Sequence, residues 1–290
     1  MVKFRGYFLI LVFLLTACTQ DTVIPKEQEK SDENIVTTPD GKITFEVINN
    51  IKIPQEKVET IKEEILAAYE VINSSIQTTY VPSERIQIFL NEGSQMSWGF
   101  AKEIQLYDIK DDRYPLVHEM THSLLGYGNN FDTSSGYFTQ EGFASYMEQK
   151  YGNDKINSHR LMKYFMDSNK LIPIIKLMDM NDAASYFRPN LTNPIEESIL
   201  MALSYNQSNS FVTYLIDTYG IEKFEQIYNE KELDKKIEQV YGKNIDELEK
   251  EWIAIINSQT DLTTNEKLVN DLYNIVSVID KIDPKYFTKE

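Results

Sequence analysis

Tyr114-Pro115-Leu116-Val117-His118-Glu119-Met120-Thr121-His122-Ser123-Leu124-Leu125 is the stretch that orders the rest of the chain around it. Its apolar run suits a helix, and Pro115 stands at the start, where a missing N–H costs nothing. Histidines four residues apart lie one above the other on a helix face, so both imidazoles can reach one ion in a roughly tetrahedral site. Glu119 points toward the same cleft and suits a proton acceptor for an attacking water rather than a ligand. So short a pattern can arise on a helix surface by chance. Histidine usage weighs against that, because two of the three histidines in the chain sit here. The third, His159, lies in a polar helical stretch and reads as a solvated helix residue.

Upstream, Ile43 to Ile48 alternates as a strand, and Ile86 to Leu90, Trp98 to Ala101 and Ile104 to Tyr107 give three more short ones. Between the first two, Pro54 opens a helix. Its Val58, Ile61, Ile65, Ala68, Tyr69 and Ile72 recur at three- and four-residue steps, one face to lay on a sheet. Downstream of Tyr114 the pattern is helical, over about 114–126, 140–151, 156–168, 195–218, 221–230, 244–257 and 265–280. A polar loop from Gly128 to Gly136 separates the first two of these. The expected fold class is α+β: a small N-terminal sheet with a helix, the motif helix, then a mainly helical C-terminal lobe.

A catalytic zinc takes three protein ligands and keeps one position open, so a further donor is needed. Glu141 is the candidate, nineteen residues after His122 at the start of the next helix. Gly142 and Ala144 beside it are small, which would let that helix approach the motif helix closely. An ordinary acidic residue in a first helical turn is the plainer alternative.

His118-Glu119-x-x-His122 followed by Glu141-Gly142-x-Ala144 resembles the gluzincin metallopeptidases, and within them the compact peptidase MA-like domains of exported bacterial proteins. Ser204-Tyr205-Asn206-Gln207-Ser208, leading to Tyr219-Gly220, is similar to that family's helix after the zinc site. Ile245 to Trp252 is similar to its closing acidic stretch. The resemblance runs from about 40 to 258. It implies a zincin-like fold, one catalytic zinc on His118, His122 and Glu141, Glu119 as general base, Tyr205 as an oxyanion donor, and a peptide or protein substrate. Tyr146 and Tyr214 are the other tyrosine candidates. The family often carries an aspartate four residues after its third ligand; here that position is Ser145, leaving Asp132 and Glu148 as possible partners for a histidine. Substrate would pair along a strand edge, Ser97 to Ala101. The same water and base would also serve a non-peptide amide or ester, and a non-catalytic zinc lipoprotein of the envelope is a third reading.

At the N-terminus, Lys3 and Arg5 precede an apolar run from Tyr7 to Leu15, too short for a permanent span. It closes on Leu15-Thr16-Ala17-Cys18, which resembles the lipobox of bacterial lipoproteins, with Cys18 the lipidation site and the single cysteine of the chain. Residues 1–17 therefore read as a signal peptide, 18–42 as a flexible polar tether, 43–258 as the zinc domain and 259–290 as a C-terminal helix. The address expected is the outer face of the bacterial cytoplasmic membrane or another envelope membrane. Losing Lys3 and Arg5 takes the net charge from −16 to −18, which argues against nucleic acid and against direct binding to anionic headgroups.

Overall fold

The computed structural model describes residues 32–126, 137–153, 156–178, 183–259 and 274–288. A five-stranded sheet comes first: β1 (Ile35–Thr37), β2 (Thr44–Asn49), β3 (Arg85–Leu90), β4 (Trp98–Gly99) and β5 (Glu103–Leu106), in the order β1-β2-β3-β5-β4. The inner pairs β2/β3 and β3/β5 are parallel, and both edges are antiparallel. Parallel neighbours need a crossover, and helix α1 (Gln55–Asn73) supplies it between β2 and β3. The six apolar residues predicted for its face are all buried. They share one buried core with Phe45, Val47, Ile86, Ile88, Leu90, Ile104 and Leu106. Fully burying each large apolar side chain contributes about 1.5–3 kcal/mol.

Part of the stretch expected as a flexible tether over 18–42 instead forms a strand, β1. β1 pairs Ile35 with Glu46 and Thr37 with Thr44. The turn behind it carries Pro39-Asp40-Gly41, with Asp40 accepting from the Thr38 hydroxyl at 2.7 Å and Gly41 at φ +71°. A Pro-Asp-Gly run between β-branched residues is a hairpin signal, and the charged residues before it hid the signal. Residues 1–31, with the signal peptide and Cys18, lie outside the described residues.

The rest is helical: α2 (Leu116–Leu125), α3 (Tyr137–Tyr151), α4 (Ser158–Asp167), α5 (Ile174–Met178), α6 (Ala183–Phe187), α7 (Pro194–Tyr219), α8 (Ile221–Glu225), α9 (Leu233–Tyr241) and α10 (Ile245–Asn257). The fold is thus α+β as expected, although α5, α6 and α9 were not foreseen and α8 is half its expected length. The loop expected over 128–136 falls outside the described residues.

α2 lies against α1, β4 and β5 on one side and α3 on the other. α3 in turn packs along α7, where a Cβ on Gly142 would stand 2.8 Å from a Val212 methyl and 3.0 Å from the Ser208 carbonyl. Gly142 therefore brings α3 close to α7, not to the motif helix as its sequence position suggested. α10 closes the lobe with fully buried Trp252, whose indole donates to Ser210 at 2.9 Å. Residues 274–279 are helical, and the segment lies on the same lobe through buried Ile279 and Ile282 and a Lys170–Asp280 pair at 2.6 Å. Among the described residues no helix is long and apolar enough to cross a membrane.

Candidate metal centre

α2 begins at Pro115 without a side-chain cap. A helix start leaves N–H groups unpaired, and Glu148 reaches across from α3 to accept the His118 amide at 3.1 Å. Its other oxygen accepts the Asn153 amide at 2.7 Å. Glu148 thus serves the backbone at His118 and not the imidazole ring. On the opposite side, Gly99 of β4 sits where a Cβ would fall 2.2 Å from the Glu119 carbonyl, and the Ser123 hydroxyl donates to Phe100 O at 2.8 Å. The motif helix is therefore held at its first turn by α3 and along its flank by the sheet edge.

His118 and His122 bring their Nε2 atoms to 3.1 Å of one another, and each lies 3.2 Å from Glu141 Oε2. A tetrahedral zinc with bonds of about 2.0–2.2 Å separates its donors by about 3.3–3.6 Å, so this near-equilateral triangle has the chemistry and close to the size of three corners of such a site. A carboxylate oxygen of Glu119 falls within 4.8 Å of a ring nitrogen of each histidine. The three-residue motif and the distant glutamate are thus brought together.

The sequence profile of the Peptidase MA superfamily matches residues 103–258. The chain belongs to this superfamily. The matched span begins at β5 and ends just past α10, so it includes His118, Glu119, His122, Glu141 and Tyr205 of this superfamily member. A solved structure of a two-domain M1 zinc metallopeptidase, a mutant bound to L-arginine, is similar to it over 78% of this chain and 51% of that one, at 14% identity and a TM-score of 0.44. The chain thus spans about half the length of that protein. No curated protein matches it.

In this Peptidase MA member burial is the largest single influence on His118, Glu119, His122 and Glu141, but it sets the direction for only Glu119 and His122 among them. It pushes the Glu119 carboxyl up to about 7, with the Glu141 and Glu148 charges adding to the rise and His118 and Arg188 opposing it. Burial lowers His122. It also works against a charge on His118, but the Glu141 hydrogen bond and the Glu119, Glu141 and Glu148 charges carry that ring to about 9. Glu141 runs the other way: burial would raise it, yet His122, His118 and Arg188 together hold it well below the usual carboxylate range.

Arg188 is the residue that sequence reasoning missed. It follows α6 and donates to Glu141 Oε1 at 2.9 Å and to the Tyr205 hydroxyl. No spacing rule links it to the motif. Tyr205, from α7, stacks on His118 with centroids 6.2 Å apart, and burial followed by the Glu141 charge raises its hydroxyl well above the ordinary tyrosine value. Of the other tyrosines, Tyr146 accepts from Lys150 at 2.7 Å, and Tyr214 donates to Glu251 at 2.8 Å. Ser145, at the position where the family often has aspartate, sits with Oγ 3.4 Å from His118 Nδ1. Asp132 lies outside the described residues. His159 is a correction: it is half-buried, with Nδ1 2.8 Å from the Ser210 hydroxyl, because α4 turns it toward α7.

A cleft of about 650 Å³ runs from Met96 and Ser97 past His118 and Glu119 to Ile156 and Asn206. A smaller recess beside it is lined by Ser97 to Phe100, both histidines, Glu141, Arg188 and Tyr205. β4 is an edge of the sheet. Its neighbourhood exposes Met96, Trp98 and Phe100 at 55%, 37% and 41%, an apolar rim next to the candidate metal site.

Proposed function

We propose that this chain is a membrane-anchored zinc metallopeptidase that hydrolyses peptide bonds, with Glu119 as general base. The observation that carries the reading is the triangle of two imidazole nitrogens and one carboxylate oxygen with a second carboxylate alongside. His118, His122 and Glu141 would hold a zinc ion, which would supply a Lewis acid for the scissile carbonyl and a lowered pKa for water. Glu119, buried and near neutral in its pKa, can accept a proton from that water and pass it to the departing amine. The substrate backbone pairs along β4, an edge strand suited to strand addition, and its apolar side chains rest on Met96, Trp98 and Phe100. Cys18 carries the lipid that holds the protein at the outer face of an envelope membrane.

Cell fractionation tests both halves. Membranes from cells making the full chain should carry a chelator-sensitive peptide-hydrolysing activity, and Cys18→Ala should move that activity to the soluble fraction. Absence of any zinc-dependent peptide cleavage sinks the peptidase reading, whereas activity that stays in the membrane in Cys18→Ala sinks the lipid anchor.

Tyr205 is proposed to donate to the oxyanion that develops on the substrate. Tyr205→Phe keeps the ring stacked on His118 and deletes the hydroxyl, so kcat should fall on the order of a hundredfold or more with zinc content and KM little changed. Stopped-assay kinetics on zinc-loaded protein decide it. A fall in zinc affinity with normal turnover of the loaded enzyme would reduce Tyr205 to bracing Glu141.

A further inference from the structure

The reaction as written gives Arg188 no part, yet this side chain is fixed more firmly than a surface cation. Its backbone N–H closes on Ala184 O at 2.9 Å, and Pro189 behind it narrows its backbone choices. One guanidinium nitrogen donates to Phe187 O at 2.6 Å and also to the Tyr205 hydroxyl. The guanidinium carbon lies 5.3 Å from the Tyr137 ring centroid and 5.8 Å from that of Tyr205. The other nitrogen donates to Glu141 Oε1 at 2.9 Å.

That last bond divides the two oxygens of Glu141. Oε2 faces both imidazoles at 3.2 Å, and Oε1 faces the guanidinium. The Glu141 side chain is 2% exposed, so water cannot take over either oxygen. Rotating the carboxylate to aim Oε2 elsewhere would break a charge-assisted hydrogen bond. We propose that Arg188 is a positioning residue that holds the Glu141 carboxylate in its ligating orientation and ties it to Tyr205. The proposal rests on the zinc reading above. A lysine would bring the charge but not the fork: one ammonium on a flexible stem cannot copy two divergent, planar N–H directions.

Two effects of opposite sign compete, which makes the outcome decisive. A guanidinium beside a ligand repels an incoming cation, so simple electrostatics has Arg188→Ala bind zinc more tightly. Orientation of the ligand has it bind more weakly. Residues that orient a metal ligand typically contribute 10–100-fold in affinity, and the guanidinium is 43% exposed, so water screens its repulsion. Positioning should win.

The test is the zinc dissociation constant of the purified full chain, measured in competition with a chromophoric chelator, for wild type, Arg188→Ala, Arg188→Lys, Glu141→Ala and the Arg188→Ala/Glu141→Ala pair. Arg188→Ala should weaken zinc binding by about 10–100-fold. Arg188→Lys should recover only part of the loss, and adding Arg188→Ala to Glu141→Ala should weaken binding no further. Unchanged or tighter binding in Arg188→Ala overturns the proposal, as does an equal loss in the Glu141→Ala background, which would signify general damage. Should Arg188→Ala fail to fold, Arg188→Lys carries the same comparison. A wild type that binds no zinc sinks the zinc reading itself, while zinc-binding wild type with an indifferent Arg188 sinks only this role.

Discussion

Glu119→Gln should keep its zinc and lose peptide hydrolysis by about 10²–10⁴-fold in kcat, the range that a positioned general base contributes. Glutamine matches glutamate in shape, so α2, the Gly99 contact with the Glu119 carbonyl and both histidines should stay as they are. What disappears is the group able to take a proton and return it. The large effect follows from the residue's setting: Glu119 is 5% exposed, and burial, with neighbouring carboxylates, raises its pKa to about 7. A carboxyl on the protein surface, ionised well below neutrality, would be a weaker base and its loss would cost less. The check is steady-state kinetics normalised to bound zinc. Undiminished hydrolysis in this variant would move the activity to another residue or another protein.

The parts of the fold that were legible in the sequence are those whose pattern is local. The face of α1 could be read because Val58 through Ile72 repeat at the helical period over about four turns. β3 and β5 could be read because Ile86, Ile88 and Leu90, and Ile104 and Leu106, alternate. α9 was missed for the opposite reason. It buries Leu233, Ile237 and Tyr241, one residue per turn, and Asp234, Lys235 and Lys236 between them dilute that signal to the level of a loop. Its stability comes from tertiary contact rather than from its own pattern. β1 and α6 are too short for periodicity to speak at all.

The metal centre divides along the same line. His118, Glu119 and His122 are neighbours on one helix, so spacing alone defines their geometry. Glu141 was reachable through the small-residue motif that follows it, although the reason given for Gly142 was wrong: the missing Cβ makes room for Val212 and Ser208 of α7. Ser145 does stand beside His118, which no charge-based argument would select. Arg188 meets Glu141 across forty-seven positions, through a five-residue helix, and a lone arginine between an aromatic residue and a proline carries no mark of that contact.

Glu141→Ala should lower zinc affinity by more than the 10–100-fold typical of a residue that only orients a ligand, and His122→Ala should do the same. Each removes one of three donors. The glutamate variant also leaves the Arg188 guanidinium facing two imidazoles with no carboxylate between them, so the local charge becomes more positive by one unit. That added positive charge opposes a divalent ion over and above the lost bond, and for this reason Glu141→Ala should be at least as damaging as His122→Ala. Folding should suffer less than binding. Removing one partner of a buried ion pair is costly when the other cannot reach water, but Arg188 is 43% exposed and can be hydrated where it stands. Zinc content and chelator competition on folded protein, with the melting temperature of the metal-free forms as control, measure the two effects separately. Wild-type zinc affinity in Glu141→Ala would remove Glu141 from the ligand set while leaving the histidine pair in place, and the nearest carboxylate left to complete the site would then be Glu119, which could no longer serve as a free base.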